Sequence, residues 1–509
     1  MSAPGVRGAE PPDILIVGAG PAGSGAARLL AAWGHRVIVV DRPRKDERAL
    51  AESIPPSAKK VLSALGMLTA IEDAGFLPWQ GNAVWWSPGS DAGRPRVESF
   101  PAGVAGFQVV RRDFDARLRA LAAESGAAIE SGVVREVTTD PPRARIEADG
   151  QTREISAAMV LDCSGRNGVV ARQGLRRLDE SRHTVALVGI WRMEKDLGSL
   201  FPDADEKDSR GLTLVAAQAD GWAWSVPVAG GLRYITVMVD PQRTALARGV
   251  PAADVYLEAL ARVRAFEPLT SAGSLVEGPW GADASGYCAE RYSGPGFLLV
   301  GDAASFIDPL SSFGVKKALA SAWLAAIVSH TSLIRPAMKD AALAFFDRRE
   351  RAIYLSARQQ ASAFAADAAA QSGHPFWIAR ADTPEQLDPG AEVDAAALAG
   401  DPAVLAAFQD LRARPAVHFR TSDGLEIRPR AAVRGREIVL EDHVFLPDWP
   451  EGVRYIRDVD LVSVLRHAPR FSDAGEIAEA YVREHGPVAL PDLLGAIATL
   501  IAKGALVYG

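Results

Sequence analysis

The sequence predicts an α/β protein built on a parallel sheet, with an antiparallel sheet inserted and a small, mainly helical domain at the C-terminus. Three observations predict it. Short apolar runs at 13–17 and 297–300 each end in a glycine turn and lead towards a helical stretch, as buried strands of parallel sheets do. Residues 176–285 change character: strand-like segments at 184–191, 212–217, 222–228 and 233–240 are parted by Gly, Asp and Pro. Beyond 436 the pattern is helical, at 459–466, 473–484 and 490–503.

The first apolar run, 13–17, is followed by Gly18-Ala19-Gly20-Pro21-Ala22-Gly23. Gly18 allows a tight turn, Gly20 lets backbone approach a pyrophosphate, and Gly23 lets the next helix pack closely on the sheet. That helix, 21–33, presents free N–H groups and its positive end, which suit phosphate. A second strand, 36–40, ends at Asp41, roughly 20 residues after the glycines, where a carboxylate can hold a ribose hydroxyl. Strand, glycine turn, helix and acid together predict a bound dinucleotide, with Pro21, Ala22 and Arg42 beside it.

The second motif identifies the dinucleotide. The strand 297–300 runs into Gly301-Asp302-Ala303-Ala304-Ser305-Phe306-Ile307-Asp308-Pro309. This resembles the Gly-Asp motif of glutathione-reductase-type FAD enzymes, and the resemblance implies FAD with Asp302 on its ribityl chain. It also implies that the helix after Pro309 points its N-terminus at the flavin. Arg111-Arg112-Asp113-Phe114-Asp115-Ala116-Arg117-Leu118 is similar to a helix start of the same superfamily. There Arg111 would contact FAD and Phe114 and Leu118 would be core. Val134, on a strand at 133–137, joins the expected cofactor contacts, and the strand and turn at 159–165 close the sheet.

Composition sets the broad class. The chain has 509 residues, 48% of them hydrophobic, enough for two or three domains. Two cysteines and no visible signal peptide predict a cytoplasmic enzyme without a disulfide framework. A net charge of −7 argues against nucleic acid. The apolar helix 315–334 carries Lys316 and Lys317 and reads as a buried helix, not a membrane span. No His/Cys/carboxylate cluster has metal-ligand spacing. The expected domains are a disordered tail at 1–11, the FAD domain at 12–175 and 286–380, a substrate sheet at 176–285, a linker at 381–435 and a terminal domain at 436–509. That last domain resembles a winged helix, similar to the peptide-binding domain of pyrroloquinoline quinone biosynthesis.

Three further motifs narrow the family: Glu52-Ser53-Ile54-Pro55-Pro56-Ser57, Gly221-Trp222-Ala223-Trp224-Ser225-Val226-Pro227, and Asp308-Pro309-Leu310-Ser311-Ser312-Phe313-Gly314-Val315-Lys316-Lys317. Together they resemble the flavin-dependent halogenase superfamily, over roughly residues 12–380. The superfamily also includes hydroxylases and flavoproteins that oxygenate tryptophan in a partner protein. Two departures matter. Halogenases usually carry a lysine after a Gly-Phe pair, to position hypohalous acid; here Gly75-Phe76-Leu77-Pro78-Trp79 offers an indole, which has no ammonium. Phe313 stands where a small residue is usual. Lys59, Lys60, Lys316 and Lys317 are expected to face solvent or the flavin-proximal helix. The turn after the closing strand reads Ser164-Gly165, without the Asp-Gly of single-component hydroxylases, so reduced flavin is expected from a separate reductase.

The resemblance therefore implies monooxygenation of an aromatic substrate, free or bound to a peptide or carrier, with O₂ and a C4a-hydroperoxyflavin. Ser312, Phe313 and Gly314 would stabilise charge near the flavin, with Pro309 and Val315 beside it. Glu52 is a candidate for proton transfer. Trp79, Trp222, Trp224 and Phe376 would wall the substrate, since aromatic walls suit an aromatic ring. Halogenation, a dehydrogenase or reductase activity, and a flavoprotein serving only as a binding module remain alternatives.

Overall fold

The computed structural model describes every residue except 1–10, 44–47, 87–93, 180–181, 195–210, 312, 382–397, 399 and 415. All but residue 11 of the expected tail, residues 382–397, 399 and 415 of the expected linker, and Ser312 lie outside the described residues. The chain divides into two units, Met1–Leu387 and Asp388–Gly509.

The first unit is organised by a six-stranded sheet in the order Ser293–Gly294, Phe297–Leu299, Met159–Asp162, Ile14–Val17, Val37–Asp41, Ala128–Ser131. The pairs from Phe297–Leu299 onward are parallel and Ser293–Gly294 is antiparallel. Ile14, Leu15 and Ile16 are fully buried, which is why this strand reads as an unbroken apolar run. Helix Pro21–Ala32 packs on helix Gly314–Ile334. Small residues set that approach: a Cβ on Gly25 would stand 3.1 Å from the Ala322 methyl group. Gly314–Ile334 is long and apolar enough to cross a membrane by length and composition, and most of it is buried in this unit.

The antiparallel sheet departs from expectation in extent. Its seven strands run Gly273–Asp283, Val185–Met193, Leu232–Val239, Gly221–Val228, Leu212–Gln218, Gly81–Trp85, Arg96–Ser99. The last two come from outside 176–285, and Gly81–Trp85 joins Leu212–Gln218 in parallel. This long-range pairing has no local sequence signal. Side chains alternate across the sheet. Leu187, Ile235 and Val237 pack with Tyr256 of helix Ala252–Ala261 on one face. Ala186, Val188, Trp222, Trp224, Thr236 and Met238 turn to the other face, towards a cavity. A small sheet of Ala51–Ile54, Gly106–Val110 and Leu77–Trp79 carries Glu52 and leads directly into helix Arg111–Glu124.

The second unit corrects the expected linker at 381–435. Residues Pro402–Ala413 form a helix, and Phe419–Thr421 and Glu426–Arg434 are strands. Asp401-Pro402 starts that helix: the Asp401 carboxylate accepts the Ala403 N–H at 2.9 Å and proline occupies the first turn. Pro429 is accommodated because Glu426–Arg434 is an edge strand paired only with Glu437–Leu446. Helices Leu461–His467, Ala474–His485 and Leu490–Ala502 lie close to their expected positions, the first two capped by Asp460 and Asp473.

Among the described glycines, Gly23 leaves the least room for a side chain. A Cβ on Gly23 would lie 1.8 Å from the Gly18 carbonyl oxygen and 3.3 Å from the Cys163 side chain. Gly23→Ala is therefore expected to cost about 1–3 kcal/mol of stability and to abolish bound flavin. Denaturant midpoint and visible absorbance of the purified protein check this, and wild-type values of both would contradict it.

Candidate active site

A cavity of about 1050 Å³ runs from the C-terminal edge of the parallel sheet to the inner face of the antiparallel sheet. At the first end, Gly18 adopts a left-handed backbone with φ +97°. Beyond it a Cβ on Gly20 would meet nothing within 4 Å. Helix Pro21–Ala32 has no side-chain cap, so its first N–H groups face this open space. Pro21 and Ala22 line it too, while Gly23 does not and serves the packing described above. Asp41 Oδ1 accepts the Ala19 N–H at 3.0 Å and Oδ2 pairs with Arg119 at 3.3 Å, which fixes the carboxylate at the groove. Arg42 and Val134 complete this end.

In the middle, Arg111 joins two carboxylates. It donates to Glu52 at 2.6 Å and to both oxygens of Asp115, at 3.0 and 3.2 Å. Burial pushes the Glu52 carboxyl up while the Arg111 charge pulls it down, and the net direction is up. Burial works against the guanidinium, but Asp115 and Glu52 outweigh it and hold Arg111 charged. Asp302, Pro309, Phe313, Gly314 and Val315 line the facing side. Gly301 supports this turn from behind, with φ +65° and a Cβ position 3.2 Å from Ala22 and Ala318. Helix Gly314–Ile334 begins at the cavity, as the second motif implies.

At the far end, Trp222 and Trp224 stack at 4.7 Å between centroids and both line the cavity. Trp79 and Phe376 do not. Trp79 is buried, its indole N–H bonded to the Gly81 carbonyl at 2.7 Å and its ring edge-on to Phe100. Phe376 is buried between Trp377 and the Arg380 guanidinium. Both expected substrate contacts are thus core residues, because the strand Leu77–Trp79 and the helix Pro375–Ala381 turn these rings away from the cavity.

Sequence reasoning missed a buried polar group in the wall. Ser53 Oγ donates to Gln108 Oε1 at 2.6 Å, and Gln108 Nε2 donates to Thr213 Oγ1 at 2.9 Å. Ser53 and Thr213 reach the cavity from elements 160 positions apart in the chain, so no local pattern could have found them. Of the two placements expected for Lys317, solvent is excluded: it is 3% exposed and lines the cavity from the first turn of Gly314–Ile334.

The open backbone at Gly20, the uncapped helix, the paired motifs and the length of the cavity fit FAD. Comparison with known proteins agrees. The model of the tryptophan halogenase family matches residues 96–411. The chain belongs to that family. Its relatives include a flavin-dependent halogenase of Armillaria mellea, 28% identical over 365 residues, which is 67% of this chain and 72% of the relative. The crystal structure of CmlS, a flavin-dependent halogenase, has the same fold, with a TM-score of 0.75 at 23% identity over 97% of this chain and 95% of that one. The peptidyl tryptophan dihydroxylase QhpG has it too, with a TM-score of 0.67 at 24% identity over 97% and 100%. This tryptophan halogenase family member is an FAD-dependent oxidoreductase.

Arg111→Met leaves Asp115, only 5% exposed at its side chain, without its bidentate partner. This is expected to lower stability by about 2 kcal/mol and FAD affinity at least about tenfold. Arg111→Lys would recover part of both, since an ammonium keeps the charge but loses the fork. Flavin titration and thermal unfolding measure this, and a Met variant with wild-type affinity would contradict it.

Proposed function

We propose that this chain is a monooxygenase that hydroxylates an electron-rich aromatic ring, using O₂ and reduced flavin supplied by a separate reductase. FAD, once bound and reduced, supplies the activation of O₂. The balance is one aromatic C–H, O₂, two electrons and two protons, giving a C–OH and water. Trp222 and Trp224 flank the ring. Ser53, Thr213 and Thr236 offer polar contacts among apolar wall residues such as Ala186, Val188, Val226 and Met238. Glu52, raised by burial and linked to Arg111, is placed to hold or release a proton at its carboxylate.

The observation that carries oxygen transfer is that the described residues lining the cavity offer no available ammonium. Three positions after Phe76, where the resemblance expects a lysine, stands Trp79, sunk into the core. Among the described residues lining the cavity the lysine is Lys317, and its ammonium is committed to the carbonyls of Gly301 and Ser305. Halogenation is the second reading, favoured by the relatives in the family. The substrate is proposed to be tryptophan-like and presented on a peptide or carrier, supported by the end-to-end fold similarity to a peptidyl tryptophan dihydroxylase. The C-terminal unit would then dock that carrier.

The test is mass spectrometry of candidate aromatic substrates, free and peptide-bound, incubated with the enzyme, FAD, a flavin reductase, NADH and O₂, with and without bromide. Addition of one oxygen regardless of bromide is expected. A bromine isotope doublet that depends on bromide would overturn oxygenation in favour of halogenation.

A further inference from the structure

Lys317 is a cation placed where its helix disfavours one. It lies in the first turn of Gly314–Ile334, at the positive end of the helix dipole, and is 3% exposed. Its ammonium donates to the Gly301 carbonyl at 3.1 Å and to the Ser305 carbonyl, and it lies 3.8 Å from Asp302 Oδ1. One side chain thus grips the flavin-binding turn at both ends and sets a positive charge beside its carboxylate. A buried cation persists only with compensating charge or hydrogen bonds. Part of that compensation comes from Glu350, which helix Lys339–Ser372 buries completely. Its carboxylate faces the Ser321 hydroxyl, one turn along the helix that carries Lys317, although neither oxygen makes a close hydrogen bond. The titratable and charged groups around Glu350 are Lys317 from the facing helix, Arg349 from its own, and the buried Tyr292 hydroxyl, whose ionisation Glu350 opposes.

We propose that Lys317 is a positioning residue for the flavin, holding Asp302 in place and favouring the reduced, negatively charged cofactor, and that Glu350 is the buried counter-ion that switches this bias. It rests on FAD binding alone, not on whether oxygen or halogen is transferred. Burial pushes the Glu350 carboxyl up to about 7, with Lys317 opposing. Below that pH Glu350 is neutral, the Lys317 charge is uncompensated, and reduction of the flavin is favoured. Above it Glu350 is ionised, cancels the Lys317 charge, and the potential falls. When a two-electron reductant adds negative charge to the site, an ionised Glu350 takes one extra proton from solvent.

The experiment is the flavin midpoint potential of the purified holoenzyme from about pH 6 to pH 9, by equilibration with redox dyes, alongside FAD affinity. The wild-type potential should fall more steeply with pH around and above neutrality than that of Glu350→Gln, which should lie higher on the alkaline side. Lys317→Met should lower the potential at acid pH and weaken FAD binding about tenfold, and Lys317→Arg should restore much of the potential. Glu350→Gln keeps the shape of the site and serves if the Met variant does not fold. Superimposable curves for wild type and Glu350→Gln would overturn the role of Glu350. A Lys317→Met variant with unchanged potential and affinity would overturn that of Lys317.

Discussion

The contact between the Gly18 carbonyl and Gly23 governs the whole cofactor groove. No side chain can stand between them, so the helix starts directly against the end of the strand Ile14–Val17. That brings its uncapped N-terminus to the edge of the sheet and leaves the space at Gly20 open for a pyrophosphate. Helix Gly314–Ile334 packs on the same helix through small residues, and its own N-terminus then reaches the other end of the groove. Both anion-attracting helix ends therefore depend on one close backbone approach.

The two sheets divide the labour. The parallel sheet presents backbone and fixed charges, with Asp41, Arg111 and Asp302 held by partners within the chain. The antiparallel sheet offers an apolar wall, because its period-two alternation sends alternate residues to the cavity and the rest to the core around Tyr256. Charge and apolar surface meet at Glu52 and Ser53, adjacent in one short strand that faces both chambers.

Much of this was legible in the sequence. The glycine spacing, Asp41 and the Gly-Asp turn are local patterns whose physics acts over a few residues, and the structure places them along one cavity. Trp222 and Trp224 were legible for the same reason, being two apart on one strand and so on one face. Trp79 and Phe376 were not, since an aromatic residue looks the same in a core and in a binding wall until the facing elements are known. The strand Gly81–Trp85, the Ser53–Gln108–Thr213 group and the burial of Lys317 and Glu350 all arise from pairings between distant segments. The helix at Pro402–Ala413 was obscured by a different ambiguity, because Asp-Pro marks both turns and helix starts.

The central claim is that this site delivers an oxygen atom derived from O₂ to an aromatic ring. It is tested most directly by running the reaction under ¹⁸O₂ in unlabelled water with halide present, and reading the product by mass spectrometry. One labelled oxygen in the product is the predicted result. A halogenated product, or an oxygen drawn from water, would contradict it.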